Sequence, residues 1–436
     1  MFQRVMVCLL FVVTMAISST SSALLSMELT QGVAGAVPIA VVPFANASQF
    51  PQDVSTIVAN DLQNSGRFKV FGKSKLSEFP STAGSVSASY FSGLGTDHVV
   101  VGKVVSLGGD QYDVSFELLD MYHGKGAERV VLKKSYKVPG RELRSVAHHI
   151  SDLVYQRITG VRGIFSTRIG YVVIQSEANG RKRYILEVSD QDGYNPRPML
   201  DSPEPIMSPS WSPDGRDIAY VSFEKRHAGI YVQNATTGAR KLISEFRGIN
   251  GAPAWSPDGK KLALVLSKSG SPNIYLMDIN SRQLTQLTKD FYINTEPAFA
   301  PDGRSLLFTS NRSGGPQVYK LNLQSRAISR VTFDGNYNAR PAFTPDGSHI
   351  ALIHRVDGFF KIGILDLDTG NLRVLTKTAS DSASPSIAPN GSMILYDTRA
   401  GSRNMLGMVS SDGRVQLLLP ARNGNAQDPA WSPFQA

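Results

Sequence analysis

The chain has 436 residues, of which 42% are hydrophobic and 19% charged, and a formal net charge of +9. That is enough apolar material to bury two separate cores, so two domains are the starting expectation. The basic residues are scattered, the longest clusters being Arg181-Lys182-Arg183 and Lys133-Lys134, and without a basic stripe or interleaved aromatics a nucleic-acid surface is excluded.

The first segment departs from this composition. Arg4 is its only charge, Val5 to Ile17 is apolar except for Thr14, and small residues lead to Ser21-Ser22-Ala23. That order reads as a secretory signal, residues 1–23, cleaved after Ala23. The apolar run is shorter than the roughly 20 residues that span a bilayer. Cys8, the single cysteine, lies inside it, so the mature chain is expected to carry no disulfide and no cysteine metal site. A soluble monomer without membrane insertion or lipid anchor is the expectation.

Residues 24–160 read as a small mixed α/β domain behind a flexible segment, residues 24–35. Val37 to Phe44 has strand character, and Pro51 to Ser65 carries Val54, Ile57, Val58 and Leu62 at helical spacing. Val99–Val105, Tyr112–Leu119 and Val130–Val138 read as strands. Arg141 to Thr159 then places Leu143, Val146, Ala147, Ile150, Leu153, Val154 and Ile158 on one face of an amphipathic helix.

Residues 164–436 are periodic. Trp211-Ser-Pro-Asp-Gly215, Trp255-Ser-Pro-Asp-Gly259, Ala300-Pro-Asp-Gly303, Thr344-Pro-Asp-Gly347 and Ala388-Pro-Asn-Gly391 recur every 44 residues. Proline presets φ, the Asp or Asn side chain bonds nearby backbone, and glycine accepts positive φ, so each copy is a hairpin turn. Short strand-like runs follow each copy, as in Lys261–Ser267, Asn273–Asp278 and Gln283–Thr288. Four strands per repeat make a propeller blade. Gly163 to Leu200 has three strand-like runs and no turn motif, while the missing piece, Pro429-Ala-Trp-Ser-Pro433, ends the chain. The C-terminal strand 429–433 is therefore expected to complete the first blade of a six-bladed, all-β propeller and to leave no exposed sheet edge at the seam.

Chemical motifs are sparse. The chain has no Gly-x-Ser-x-Gly, His-Glu-x-x-His, phosphate loop or dinucleotide fingerprint. About 135 residues outside the propeller cannot hold the hydrolase domain of a propeller peptidase. His148 and His149 are helix neighbours that point apart, and His349 and His354 fall on opposite faces of one strand, so no metal and no cofactor is expected. Asp190-Gln-Asp-Gly193 and Asp366-Leu-Asp-Thr-Gly370 resemble calcium-loop starts, but the second aligns with turns at Asn234, Asp278 and Asn322. Trp211, Trp255 and Trp431 share one repeat position with Phe299, Phe343 and Ile387 and are expected to pack between blades. The loops Asn250-Gly251-Ala252, Asn294-Thr295-Glu296, Asn338-Ala339-Arg340 and Ser382-Ala383-Ser384 precede the inner strands and ring one end of the channel. They read as a binding mouth, with solvated turns as the alternative.

These features together resemble the TolB family of the Tol-Pal envelope system. The resemblance rests on Pro38-Ile-Ala-Val-Val-Pro-Phe44, Asp61-Leu-Gln-Asn-Ser-Gly66, Thr167-Arg-Ile-Gly-Tyr-Val-Val173, Asp192-Gly-Tyr-Asn195, the Pro-Asp-Gly turns, Asn294-Thr-Glu-Pro297 and Pro429-Ala-Trp-Ser-Pro433. It implies a non-enzymatic periplasmic scaffold that supports outer-membrane integrity and envelope constriction at division. It implies that the mouth residues Asn250, Gly251, Ala252, Asn294, Thr295, Glu296, Arg340 and Ser384 receive the lipoprotein Pal. It also implies that the mature N-terminus, with Leu24, Leu25, Met27, Glu28 and Leu29, engages TolA, and that other outer-membrane proteins are further partners. A propeller binding a small ligand or glycan is the alternative.

Overall fold

The computed structural model describes residues 26–28, 35–46, 53–419 and 424–435. The signal segment with Cys8, and Leu24, Leu25 and Leu29, lie outside the described residues.

The N-terminal domain is a five-stranded mixed sheet in the order Phe68–Phe71, Val37–Val41, His98–Gly108, Gln111–Asp120, Val130–Pro139. Its first three strands are parallel and the rest antiparallel. Helix α1 (Val54–Asn64) starts where the Asp53 carboxylate accepts the Thr56 N–H at 3.2 Å, an N-cap that satisfies a donor left over by the helix. Helix α3 (Leu143–Thr159) stops at Gly160, whose φ of +77° is the left-handed conformation of a C-cap. Both helices bury their apolar stripe, including Val58, Leu62, Ile150 and Val154, against Val100, Phe116 and Leu118 on one sheet face. The short helix α2 (Ala88–Gly93) covers part of the other face with Phe91. It escapes sequence reading because a single turn offers one buried apolar side chain and no period.

Six sheets form the propeller, with inner strands Asn425–Trp431, Ile206–Trp211, Asn250–Trp255, Asn294–Phe299, Asn338–Phe343 and Ser382–Ile387 in the first to sixth blades. The second strand of each blade is buried on both faces, which explains its continuous apolar run. In Lys261–Leu266, Leu262, Leu264 and Leu266 pack toward Ala219 and Val221 of the second blade, while Ala263 and Val265 pack toward Leu306 and Phe308 of the fourth. The repeated motif forms the expected turn: Asp214 Oδ1 accepts from Ser212 Oγ at 2.6 Å and from Arg216 N at 3.1 Å, and Gly215 has φ +68°. Asn234, Asp278, Asn322 and Asp366 each accept a backbone N–H from the residue three positions on, at 2.8 to 2.9 Å. These carboxyl and amide oxygens build turns. The tryptophans join blades, Trp211 Nε1 donating to Ala430 O at 3.1 Å and Trp255 Nε1 to Ser210 O at 3.0 Å.

The closing strand pairs antiparallel with Arg168–Ser176, with Ala426 opposite Val173 and Trp431 opposite Ile169. It runs over Asn425–Trp431 and so begins before the expected Pro429. It ends earlier too: Ser432 N still bonds the carbonyl of Arg168, the first residue of the paired strand, and Pro433 has no N–H to carry the ladder on. Ser26–Glu28 pairs antiparallel with Gln416–Leu418 and makes the sixth blade five-stranded. Met27 and Glu28, expected in a flexible segment, lie in this strand.

The N-terminal domain sits on the propeller face that carries the Pro-Asp-Gly turns, over the sixth and first blades. Asn390 Nδ2 donates to Arg162 O at 2.9 Å, and Tyr155, Ile164 and Phe165 meet Met393, Met408 and Trp431 in an apolar seam. Gly66, with φ +67°, lies so close to Val415 that any Cβ there would collide with it.

Candidate functional site

Each inner strand carries a bulge: pairing shifts between Met207 and Ser210, Gly251 and Ala254, Thr295 and Ala298, Ala339 and Ala342, Ala383 and Ser386, and Gln427 and Ala430. At each bulge a non-glycine residue followed by proline holds a left-handed backbone. Ser208, Ala252, Glu296, Arg340, Ser384 and Asp428 have φ between +44° and +54°. This conformation costs an L-residue roughly 1–2 kcal/mol, so six copies at one phase mark a shape the fold requires. All six line an axial channel of about 540 Å³.

The channel wall is charged and internally bonded. Arg340 Nη1 lies 3.1 Å from Asp428 Oδ1 and Nε 3.6 Å from Glu296 Oε1, and Nη1 also donates to Ser384 Oγ. Thr309 Oγ1 and Arg340 N donate to Glu296 Oε2 at 2.8 and 2.9 Å. Asp428 N donates to Asp397 Oδ2 at 2.9 Å, while Ser208 N donates to Asp428 Oδ2 at 3.2 Å. Burial works against an ionised Asp428, but the Arg340 guanidinium and the Ser208 and Ser384 donors hold its carboxyl below the usual range. Burial and the Asp428 charge push Asp397 up. Arg340 thus faces three carboxylates, and the wall presents negative potential to an occupant.

Of the residues expected at the mouth, Gly251, Ala252, Thr295, Glu296, Arg340 and Ser384 line the channel. Asn250 and Asn294 do not. They are 1% and 0% exposed and belong to blade scaffolding: Asn250 Oδ1 accepts from Ser244 Oγ at 2.7 Å, and Asn294 Nδ2 donates to Asp290 Oδ1 at 2.6 Å. These stretches are also the first residues of the inner strands rather than loops before them. Ser208 and Asp428 complete the ring and were missed, although X-Pro at the 44-residue phase was visible at both.

The loops that enter the inner strands carry apolar side chains in water on the third to fifth blades. Phe291 is 99% exposed and Phe333 72%, and Ile249, Tyr292 and Ile293 are exposed as well, as is Phe359 at the start of the fifth blade's third strand. This rim flanks the channel end opposite the N-terminal domain on these three blades. Exposed apolar side chains grouped in this way are a candidate interaction surface.

Among the described residues, one group of His and acidic side chains is close enough to consider for a metal: Asp61, His148 and Asp192, with one ligand-type atom each within 4.8 Å of the others. It lies at the domain boundary, where His148 Nδ1 pairs with Asp61 and Arg144 pairs with Asp192, so it reads as an ion-pair network. Among the described residues no helix is long and apolar enough to cross a membrane.

A family model for the TolB beta propeller domain matches residues 155–435, and one for the TolB amino-terminal domain matches residues 25–127. The chain is 48% identical over 232 residues to the Tol-Pal system protein TolB of Coxiella burnetii, and 50% identical over 229 residues to that of Legionella pneumophila strain Paris. Each match covers 52% of this chain and 52% of the relative, so the matched stretch spans about half the length of these curated relatives. The crystal structure of TolB from Acinetobacter baumannii superposes with a TM-score of 0.85 at 38% identity, covering 94% of this chain and 100% of that one. With both family models matched in chain order on a six-bladed propeller and its α/β partner, the chain belongs to the TolB family.

Proposed function

We propose that this protein is a non-enzymatic, monomeric periplasmic scaffold of the Tol-Pal system whose channel mouth receives the lipoprotein Pal and whose N-terminal stretch engages TolA. The observation that carries the reading is the ring of six left-handed residues beneath an exposed aromatic rim. A rigid concave wall with fixed charges and an apolar collar suits a protein loop that brings donors for Glu296 and Asp428 and apolar contacts for Phe291 and Ile293. The second partner is supported by the N-terminal strand: Ser26–Glu28 holds to the edge of the sixth blade by a short pairing, and a three-residue edge strand can be exchanged for a partner. In this reading the scaffold links the outer-membrane lipoprotein to the inner-membrane complex and supports envelope constriction.

The test is capture of soluble Pal by the purified mature chain. Glu296→Lys sets a second cation beside Arg340 and is expected to abolish capture with the fold intact by circular dichroism. Full capture by that variant removes the mouth as the site. No capture by the wild type favours a small-ligand or glycan-binding propeller.

A further inference from the structure

The turn between the third and fourth strands of the first blade, Asp190 to Tyr194, meets α3 across the domain boundary. Arg144, 8% exposed, donates through Nε to Asp190 Oδ2 at 3.0 Å and through Nη2 to Asp192, and its guanidinium lies 3.9 Å from the centre of the Tyr194 ring. One helical turn on, His148 is 3% exposed and places Nδ1 2.8 Å from Asp61 Oδ2 of α1. Ser151 Oγ donates to the same oxygen at 2.7 Å. The other ring nitrogen, Nε2, is buried without a hydrogen-bond partner.

This is an expensive arrangement. A buried carboxylate costs several kcal/mol unless it is paired and bonded, and neither the channel nor the rim uses this one. The groups that face His148 are Asp61 from α1, Arg144 and Asp152 from α3, and Asp192 from the first blade. With Asp190 beside Asp192, carboxylates outnumber the single guanidinium. Nδ1 is committed to Asp61, so the proton that comes and goes is the one on Nε2.

We propose that His148 is a protonation-controlled clasp between the two domains. Carrying both protons, it joins Asp61 of the N-terminal domain to the field of Asp192 on the first blade. Without the second proton, Arg144 faces the surrounding carboxylates with no charge on His148 beside it. Burial disfavours the charge on His148, but Asp61 and Asp192 more than offset this and hold it above the ordinary histidine value. Burial lifts Asp61 as well, so the pair retains its proton. A histidine raised in the folded state contributes stability that is complete below about 6.5 and is lost as pH rises through the raised value. The boundary therefore tightens in acid and loosens in alkali.

The test uses the full mature chain. The His148 imidazole is titrated by NMR, and amide exchange, corrected for intrinsic rate, is followed at Phe165, Ser166 and Tyr194 between about pH 6 and 9. These N–H groups bond the Asp152 and Asp192 carboxylates at the boundary. Protection there should fall as pH rises through the raised His148 value, and by more than at Leu264 in the third blade. His148→Gln keeps a donor for Asp61 without titrating, and should give a flat profile. A wild-type His148 titrating at or below about 6.5 overturns the clasp, as does an identical profile in the Gln variant. Should that variant fail to fold, the wild-type imidazole titration decides alone.

Discussion

Replacing Trp431 by alanine tests whether the last strand seals the ring. The side chain is 6% exposed, packs among Ile164, Tyr171, Met393, Leu395 and Leu417, and donates from Nε1 to Thr167 Oγ1 at 2.8 Å. It touches the first blade, the sixth blade and the domain seam at once. Emptying such a site costs about 3–5 kcal/mol, and the lost hydrogen bond adds about 1 kcal/mol. At about 2–4 °C per kcal/mol for a unit of this size, the propeller transition in scanning calorimetry should fall by roughly 8–24 °C. Trp431→Phe keeps an aromatic ring, as Phe299 and Phe343 do at the same phase of their repeats, and should cost only about 1–2 kcal/mol. An alanine variant melting within about 2 °C of wild type would mean that the ring does not depend on its closing strand.

Two further predictions concern the channel wall. Arg340→Met leaves Glu296, Asp397 and Asp428 without their shared cation. The Arg340 side chain is 28% exposed, so a loss of about 3 kcal/mol in urea unfolding is expected, at the low end for a broken buried pair. Adding Asp428→Asn to that variant should recover part of the loss, and strict additivity of the two would refute the coupling. Asp428 itself, held below the usual carboxylate value, contributes stability that is present above about 3.9 and is lost as pH falls through its lowered folded value. Asp428→Asn should flatten the acid limb of the unfolding profile below about pH 4. An unchanged limb would show that the pair does not govern acid stability.

What could be read from the sequence was what repeats or is periodic. The 44-residue register placed the blades and their turns, and the helical stripes placed α1 and α3. The side-chain directions at the mouth were not readable in the same way. Asn250 and Asn294 look like solvent-facing turn residues, yet a strand begins at each and turns its amide into the blade. One bulge later, Ala252 and Glu296 face the channel, because a left-handed residue re-aims the strand. The signal for this was the proline after each of the six, including Ser208 and Asp428. Two distant contacts outside the repeat had no local signature: Ser26–Glu28 on the sixth blade joins residues almost at opposite ends of the chain, and His148 reaches Asp61 from another helix.

The central claim, that the mouth is a protein-docking surface, is tested most directly by calorimetric titration of soluble Pal into the mature chain and its Phe291→Ala variant. Phe291 is 99% exposed and has little packing to lose, so melting should stay within about 0.5 kcal/mol of wild type. The account predicts one-to-one binding by the wild type, and at least about tenfold weaker binding by the variant. Equal affinities, or no binding by either protein, would contradict it.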